Sequence, residues 1–399
     1  MVLMSRKLFN YVDSELNFAG AAKNLISYIV GYEQPFWLYK KSVITERIGW
    51  IQSWKGLGRL HYAMKANFHS EILKLIQASN CGIDAVSLGE MQHAVDCGFK
   101  PKDIILSGVA KTKKELLWAI ENEIYQINIE SPSELAKIIE LNKSLNKKVS
   151  LALRLNPEID AGTHPGIATA LKDSKFGLDF ETANQILVRI AGDKNLELKA
   201  ISFHIGSQIT NVSVFEKAIQ VVKPFYLQAK QICPQLDRLD LGGGIGIDYK
   251  DADSEMDQQR WLALQEIYDS ELKDFGAFLI LEIGRFLVAR SGILISRVEV
   301  IKTAATTKYL ILDAGMSLLL RPALYQAVHE ILPLRKKPGP SSKYTVVGPI
   351  CESSDVLVTG KTFPAIAEGD FVAICDAGAY GSSMSSRYNL REPAAEIFI

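Results

Sequence analysis

Short runs of apolar residues alternate with amphipathic segments over the first two thirds of the chain. The segment SEILKLIQAS (70–79) has apolar residues at 72, 73, 75 and 76, which is the spacing of one helix face. The apolar runs are continuous, as expected for parallel strands that are buried on both faces. They predict eight strands, namely LHYAM (60–64), IDAV (83–86), IILS (104–107), QINI (126–129), SLALRL (150–155), AISFHI (201–205 and the residue before), DRLDL (237–241) and FLILEI (278–283).

Eight strand–helix units in roughly 220 residues indicate a (β/α)8 TIM-like barrel. A doubly wound open sheet has the same periodicity and stays a structural alternative. After residue 290, strand-like segments bounded by Gly, Pro and Asp follow one another with little helix between them. We therefore expect an α/β fold with a barrel over residues 30–290 and a mostly β domain formed by residues 1–29 and 291–399. The segment LRKKPGPSSK (334–343) is predicted to be a loop.

The composition is that of a globular protein, with 48% hydrophobic and 23% charged residues among 399. The 45 basic and 45 acidic residues balance, so charge favours neither a nucleic acid nor a membrane as a partner. The start of the chain lacks the apolar run of a signal peptide, and no stretch reaches the roughly 20 apolar residues of a membrane span. Five cysteines without C-x-x-C spacing indicate reduced thiols and a cytoplasmic protein, and six scattered histidines give no metal-ligand spacing.

Polar and small residues collect at the ends of the predicted strands, while the strands themselves stay apolar. In a barrel of this kind the chemistry lies where the strands end. Burying so many polar groups is costly unless they bind something. The residues at these positions are Lys65, Asp84, Ser87, Ser107, Glu130, Arg154, His204, Ser207, Gly242 to Gly244, Glu282 and Arg285.

Four of these features fit one ligand. Lys65 can form an imine with an aldehyde, and the glycines of LGGGIG (241–246) let backbone N–H groups approach a phosphate. His204 offers a flat ring, and Glu282 offers a carboxylate to a ring nitrogen. Each feature alone has a plainer interpretation: a solvated lysine, a tight turn, a core histidine, or an ion pair with Arg285. Together they indicate pyridoxal 5'-phosphate, whereas a sugar-phosphate aldolase would have no need for Glu282.

The same motifs resemble those of the fold-type III pyridoxal-phosphate decarboxylases, and most closely the diaminopimelate decarboxylase family. The resemblance runs from about residue 34 to the C-terminus. It rests on HYAMKAN, IDAVSLGE, RLNPEIDAGTHPGI, SKFGLD, SFHIGSQI, LDLGGGIGIDY, LEIGRFLVARSG, LDAGMSLLLRPALYQAVHEI, GPICESSDVL and DAGAYGSSMSSRYN. It implies decarboxylation of meso-2,6-diaminopimelate to L-lysine and CO2, by a homodimer whose active site is shared between a barrel and the partner's β domain.

The resemblance also implies a role for individual residues. The catalytic residues would be Lys65, which holds the cofactor, His204, which stacks on its ring, and Cys351, which donates a proton to the substrate carbon. The cofactor would be bound by Lys65, Asp84, His204, Ser207, Gly242, Gly243, Gly244, Glu282, Gly284, Arg285 and Tyr380. The substrate would be bound by Arg285, Arg321, Tyr325, Glu352 and Tyr380. Cys351 and Glu352 would come from the partner subunit, with Glu352 reading the distal amine of the substrate.

Other functions remain open from the sequence. Ile283 stands where the family usually has proline and Ser354 where it has glycine, which leaves room for a paralogue that decarboxylates a related amino acid in secondary or siderophore metabolism. An amino-acid racemase shares the architecture, but racemases of this type usually place an arginine at the position of Glu282. A non-catalytic carrier of the cofactor would be a lone barrel, which the β-rich last hundred residues argue against.

Overall fold

The structure is a computed structural model that describes residues 8–19, 21, 23–31, 34–162, 164, 166, 169–170, 174–249 and 254–399. The strands are β1 (Phe9–Val12), β2 (Glu15–Phe18), β3 (Phe36–Tyr39), β4 (Leu57–Ala63), β5 (Gly82–Ala85), β6 (Ile104–Leu106), β7 (Gln126–Ile129), β8 (Val149–Leu155), β9 (Leu196–Phe203), β10 (Arg238–Asp240), β11 (Phe278–Ile283), β12 (Gly292–Ala304), β13 (Thr307–Leu312), β14 (Ile331–Pro333), β15 (Lys337–Val347), β16 (Val356–Ala365), β17 (Phe371–Ile374) and β18 (Ala395–Phe398).

The helices are α1 (Lys41–Gln52), α2 (Ser70–Ala78), α3 (Leu88–Asp96), α4 (Lys113–Glu121), α5 (Pro132–Leu145), α6 (Phe180–Ala191), α7 (Ser213–Ile232), α8 (Ser254–Leu272), α9 (Arg285–Val288) and α10 (Arg321–Tyr325). Short 3-10 helices lie at Leu25–Tyr28, Met64–Ala66, Pro101–Asp103, Ala289–Ser291, Ser382–Met384 and Tyr388–Leu390. No helix within the described ranges is both long and apolar enough to cross a membrane.

The chain divides into two compact units. The barrel unit comprises residues 45–246 and 259–285, and the β-rich unit comprises residues 1–44, 247–258 and 286–399. The domain boundaries at residues 30 and 290 that the sequence indicates stay a prediction for the functional domains.

The barrel unit contains a closed barrel of eight parallel strands in the order β10-β11-β4-β5-β6-β7-β8-β9. Closure is visible at β4, which pairs with β5 on one side and with β11 on the other. The predicted (β/α)8 barrel is therefore confirmed, and the open doubly wound sheet is wrong. The strands QINI and FLILEI have the bounds that the sequence predicts.

Helices begin close to the polar ends of the strands in the barrel unit. The side chains of Ser87, Thr112, Ser131 and Asp179 each accept a hydrogen bond from a backbone N–H in the first turn of the following helix. Such caps satisfy N–H groups that have no partner inside the helix. They fix where the chain turns away from the barrel, and thereby which side chains remain at the strand ends.

The β-rich unit is built on a sheet in the order β14-β17-β12-β13-β15-β16, and β3 joins it by pairing with β12 and β18. Its core combines N-terminal side chains, such as Leu16 and Phe18, with Ile293 and Ile295 of β12. The second, mostly β domain is thus confirmed. The predicted loop at 334–343 is wrong over most of its length, because Lys337 onward belongs to β15. There, exposed polar residues pair irregularly with β16, and only the partner strand reveals the strand conformation.

Candidate active site

Lys65 lies at the mouth of the barrel unit, in the 3-10 turn that follows β4 directly. Its Nζ atom donates a hydrogen bond to Oδ2 of Asp84 on β5, over 3.0 Å. The Lys65 side chain is 40% exposed and that of Asp84 is 1% exposed. The second oxygen of this carboxylate, Oδ1, is buried and has no hydrogen-bond partner in the described part of the chain. The pair holds the amine at the barrel mouth, next to a buried acceptor that a ligand can use.

Glu282, near the end of β11, is held by a polar network inside the barrel. Asn128 Nδ2 donates to Glu282 Oε1 over 3.3 Å and to Ser107 Oγ over 3.1 Å. Gln126 Nε2 donates to Asn128 Oδ1 over 2.8 Å and to Asp240 Oδ2 over 3.4 Å. The side-chain amide of Asn128, which Gln126 holds in place, therefore orients the Glu282 carboxyl group.

The carboxyl groups of Asp240 and Glu282 lie in a site that disfavours negative charge. Burial raises the pKa of both groups, and the charges of Asp240 and Asp84 raise the pKa of Glu282 further. Lys65 opposes this by lowering the pKa of Glu282. Glu282 consequently keeps a proton above the pH at which an exposed glutamate loses it. A positively charged ring nitrogen beside it would stabilise the ionised carboxylate.

The glycine run after β10 has no space for side chains. Gly242 and Gly244 have φ angles of +63° and +105°, a region that other residues adopt only with strain. A Cβ atom on Gly242, Gly243 or Gly244 would lie within 3.0 Å of a backbone oxygen, that of Phe203, Glu282 and Gly206 respectively. The run therefore presents bare backbone, which is the surface that cradles a phosphate.

His204, which follows β9, faces this glycine run. The N–H of Gly243 donates to His204 Nδ1 over 3.1 Å, so the ring proton is on Nε2. Burial, together with the charges of Arg154 and Lys65, lowers the pKa of His204 well below its usual range. The imidazole is therefore a neutral flat ring at neutral pH, which suits stacking on an aromatic ligand.

Ser207 and Arg285 meet at the same end of the barrel, where Arg285 Nη2 donates to Ser207 Oγ over 3.0 Å. Gly284, the residue before Arg285, packs so closely on β4 that a Cβ atom would lie 2.9 Å from the carbonyl oxygen of Ala63. A hydroxyl group and a guanidinium group thus stand near bare backbone, and both are donors that bind phosphate or carboxylate.

Cys351 and Glu352 lie in the β-rich unit, on the loop between β15 and β16. Asp355 holds this loop in place: its Oδ2 accepts the N–H of Ile350 within the loop over 2.8 Å, and its Oδ1 accepts the N–H of Met316, in the segment before α10, over 2.6 Å. Both Cys351 and Glu352 are exposed. Tyr388 donates its hydroxyl to Glu352, and this hydrogen bond raises the pKa of Tyr388. The thiol and the carboxylate are therefore displayed on an ordered loop.

Arg321, Tyr325 and Tyr380 also belong to the β-rich unit. Arg321 opens α10 and is buried, and Tyr325 closes the same helix and is half-buried. Tyr380 lies beyond β17 with a φ of +55°, which is unusual for an aromatic residue. Strain of this kind is often found at ligand sites, because the surrounding structure must hold it.

The structure thus brings together, within the barrel unit, the predicted residues Lys65, Asp84, His204, Ser207, Gly242, Gly243, Gly244, Glu282, Gly284 and Arg285. The predicted residues Arg321, Tyr325, Cys351, Glu352 and Tyr380 lie in the β-rich unit. Sequence reasoning missed Asn128, Asp240 and Asp355. Asn128 and Asp240 could have been found as polar residues inside otherwise apolar strands.

The barrel residues fit pyridoxal 5'-phosphate. The amine of Lys65 at the barrel mouth matches its aldehyde, and the glycine run without space for side chains matches its phosphate. The carboxyl group of Glu282, which a positive partner would stabilise, matches its ring nitrogen. The neutral ring of His204 matches its aromatic face.

Comparison with known proteins agrees with this chemistry. Residues 41–289 match the family described as "Pyridoxal-dependent decarboxylase, pyridoxal binding domain". Diaminopimelate decarboxylase of Aquifex aeolicus is 37% identical over 98% of this chain and 91% of its own length, and that of Zymomonas mobilis is 38% identical over 92% and 88%. The crystal structure of the Helicobacter pylori enzyme complexed with L-lysine has a TM-score of 0.87 at 36% identity and covers 94% of each chain. The chain belongs to the pyridoxal-dependent decarboxylases and, within them, to the diaminopimelate decarboxylases.

Proposed function

We propose that the protein decarboxylates meso-2,6-diaminopimelate to L-lysine and CO2, with pyridoxal 5'-phosphate as cofactor. The observation that carries the proposal is the pairing of Lys65 with buried Asp84, beside a glutamate whose carboxyl group is poised for a cationic partner. When bound, pyridoxal 5'-phosphate supplies an aldehyde for the amine and a ring that accepts the electrons left by departing CO2.

We assign the barrel residues as follows. Lys65 anchors the aldehyde, and Asp84 positions its amine. Glu282 keeps the ring nitrogen protonated, since a carboxylate favours a cation beside it. His204 covers one face of the ring. Ser207, Arg285 and the N–H groups of the glycine run hold the phosphate with Tyr380, and this cluster of donors matches its charge.

We assign recognition of the substrate to positively and negatively charged side chains together. Meso-diaminopimelate has a second amino-acid end, whose carboxylate suits Arg321 and Tyr325 and whose amine suits Glu352. A diamine precursor such as ornithine has no distal carboxylate and would not offer Arg321 this interaction. Cys351 then returns a proton to the substrate carbon from which CO2 has left.

We further propose a homodimer in which Cys351 and Glu352 of one subunit complete the barrel site of the other. Both side chains are exposed in the single protomer, on a loop that Asp355 holds in place. This supports the proposal, because a proton donor must be shielded from water during the reaction and a partner subunit would shield it. A cytoplasmic location is supported by the five cysteines, which are all free thiols.

The direct test is to incubate the purified protein, saturated with pyridoxal 5'-phosphate, with meso-diaminopimelate. We expect CO2 and L-lysine in equal amounts. A panel of ornithine, arginine, lysine and carboxynorspermidine, measured in parallel, separates this function from that of a paralogue. A protein that binds the cofactor and releases no CO2 from meso-diaminopimelate at any pH contradicts the proposal.

The shared site has its own test. Lys65→Ala and Cys351→Ala proteins, each inactive alone, are mixed under conditions in which subunits exchange. Half of the dimers are then mixed, and each mixed dimer holds one intact site, so about a quarter of the activity should return. No recovery despite demonstrated exchange would place both residues in the site of a single subunit.

A further inference from the structure

His329 connects Arg321 to the sheet of the β-rich unit. It lies between α10 and β14 and is 2% exposed. Arg321 Nη1 lies 2.8 Å from His329 Nε2, and His329 Nδ1 lies 2.8 Å from the carbonyl oxygen of Cys375, directly after β17. Cys375 also donates its N–H to the carbonyl oxygen of Glu330, so the segment around His329 is tied to the end of β17 from both sides.

These two distances determine the protonation of the imidazole. A carbonyl oxygen only accepts hydrogen bonds, so Nδ1 of His329 carries the proton and donates it to Cys375. A guanidinium only donates, so Nε2 must be the bare acceptor for Arg321. His329 is therefore neutral, with a single tautomer that satisfies both partners.

A neutral acceptor has a consequence that a carboxylate at this position would not have. It restrains the guanidinium of Arg321 by a hydrogen bond but does not cancel its charge. The ring of Tyr249 adds a second restraint, since Arg321 Cζ lies 4.5 Å from its centroid and the His329 ring lies edge-on to it at 5.2 Å. Both contacts fix the plane of the guanidinium, and neither His329 nor Tyr249 forms an ion pair with it.

We propose that His329 is a positioning residue for substrate specificity, which orients Arg321 to bind the carboxylate that the substrate keeps. The inference rests on the proposed function, in which Arg321 reads the distal amino-acid end. Because decarboxylation removes one carboxylate of meso-diaminopimelate and leaves the other, the product L-lysine still carries the group that Arg321 would bind. Cadaverine, the diamine with the same carbon chain, lacks it.

Two substitutions separate the two hydrogen bonds of His329. In His329→Gln, Oε1 can replace Nε2 as the acceptor for Arg321, while the bond to Cys375 is lost. In His329→Asn, Nδ2 can replace Nδ1 as the donor to Cys375, while the acceptor for Arg321 is lost. The binding of L-lysine and of cadaverine to each holoenzyme is measured by calorimetry, together with kcat and KM for meso-diaminopimelate and the melting temperature.

The positioning role predicts that His329→Asn weakens L-lysine binding and raises KM by about tenfold or more, the effect of losing a hydrogen bond to a charged group, with kcat changed less than KM. Cadaverine binding should stay within about twofold, and His329→Gln should stay within about threefold of the wild type for both ligands. Wild-type binding of L-lysine no tighter than that of cadaverine overturns the inference, whether or not the protein is a decarboxylase. The inference is also overturned if the two variants lose affinity for L-lysine and cadaverine alike, in proportion to their loss of melting temperature. That result would indicate a merely structural histidine. The protein could release no CO2 from meso-diaminopimelate and still prefer L-lysine to cadaverine in a way that His329→Asn abolishes and His329→Gln preserves. That outcome contradicts the proposed reaction but not the role of His329.

Discussion

Replacing Arg290 by methionine tests what holds the β-rich unit together beside its candidate ligand residues. Arg290 is fully buried and binds three segments: Nε lies 2.9 Å from Asp257 Oδ2 on α8, Nη1 lies 2.9 Å from Asp376 Oδ2 after β17, and Nη2 donates to the carbonyl oxygen of Asp248 over 2.8 Å. Asp376 lies four positions before Tyr380 in the chain. Methionine has a similar length but provides neither charge nor donors.

The expected loss is large because two carboxylates would remain behind. Asp257 is 0% and Asp376 is 1% exposed, so neither can turn to water without opening the structure. Breaking one buried ion pair by removing a partner typically costs about 3–5 kcal/mol. The two pairs share one guanidinium and are not additive, so we expect a loss of at least about 3 kcal/mol. Against a total stability of about 5–15 kcal/mol, this is a large fraction.

The assay is urea unfolding of the cofactor-free protein followed by tryptophan fluorescence. Arg387→Met is the matched control, because Arg387 pairs with Glu392 while both side chains are more than 60% exposed, and a surface pair of this kind contributes about 1 kcal/mol or less. The triple variant Arg290→Met, Asp257→Asn, Asp376→Asn removes the stranded charges and should regain at least half of the loss. An Arg290→Met protein within about 1 kcal/mol of the wild type would refute the reasoning, as would a triple variant less stable than the single one.

Three further predictions concern individual residues. Lys65→Ala should abolish both the visible absorbance band of lysine-bound cofactor and the labelled lysine peptide after borohydride reduction. If either the absorbance band or the labelled peptide persisted, the role of Lys65 would be contradicted. Gly243→Ala should weaken binding of pyridoxal 5'-phosphate at least tenfold in a fluorescence titration, because its Cβ would collide with the carbonyl oxygen of Glu282, whereas Gly49→Ala in α1, where a Cβ meets nothing within 4 Å, should bind as the wild type does. Asp355→Ala should lose about 1–3 kcal/mol of stability in urea unfolding and lower turnover without changing cofactor affinity, because it removes the acceptor for the N–H of Ile350 in the loop that carries Cys351 and for the N–H of Met316, to which it ties that loop; unchanged turnover would show that the order of this loop is unimportant.

The barrel could be predicted because its strands are buried on both faces. QINI and FLILEI are short, mostly apolar runs in which local pattern and final structure coincide. The first half of the strand Lys337–Val347 could not be predicted, because it is exposed and polar and contains Gly and Pro. What makes it a strand is its pairing with β16, which is not visible in the local sequence.

The candidate site was predictable to the extent that its residues stand at strand ends. Lys65, His204 and Glu282 do, and the barrel geometry explains why they converge. Asn128 and Asp240 were not identified, because a polar residue inside a short apolar run looks like an interruption. Their partner Glu282 is 154 positions from Asn128, and such a distant hydrogen bond leaves no spacing to recognise. The same holds for His329, whose carbonyl partner lies 46 positions further on.

The raised pKa values of Glu282 and Asp240 predict how the stability of the cofactor-free protein varies with pH. A carboxyl group whose folded pKa exceeds its unfolded value, about 4, binds more protons when folded, so the free energy of unfolding decreases as pH rises between the two values. Asp240→Asn removes one such group and one charge that raises the pKa of Glu282, so the decrease between about pH 5 and 8 should become shallower in urea unfolding.

The control variant Asp179→Asn addresses a carboxylate of the opposite kind. Hydrogen bonds from Thr182 lower the pKa of Asp179, so its contribution to stability is present above the unfolded pKa and is lost as pH falls through the folded one. This variant should change the acid side of the profile and leave the slope between about pH 5 and 8 as in the wild type. Saturation with pyridoxal 5'-phosphate should flatten that slope, because a cationic ring nitrogen beside Glu282 opposes the burial and the neighbouring carboxylates that raise its pKa. A slope that Asp240→Asn leaves unchanged would contradict the raised pKa values of this pair. A slope that the cofactor steepens would mean that Glu282 is not the carboxyl group that the ring nitrogen meets.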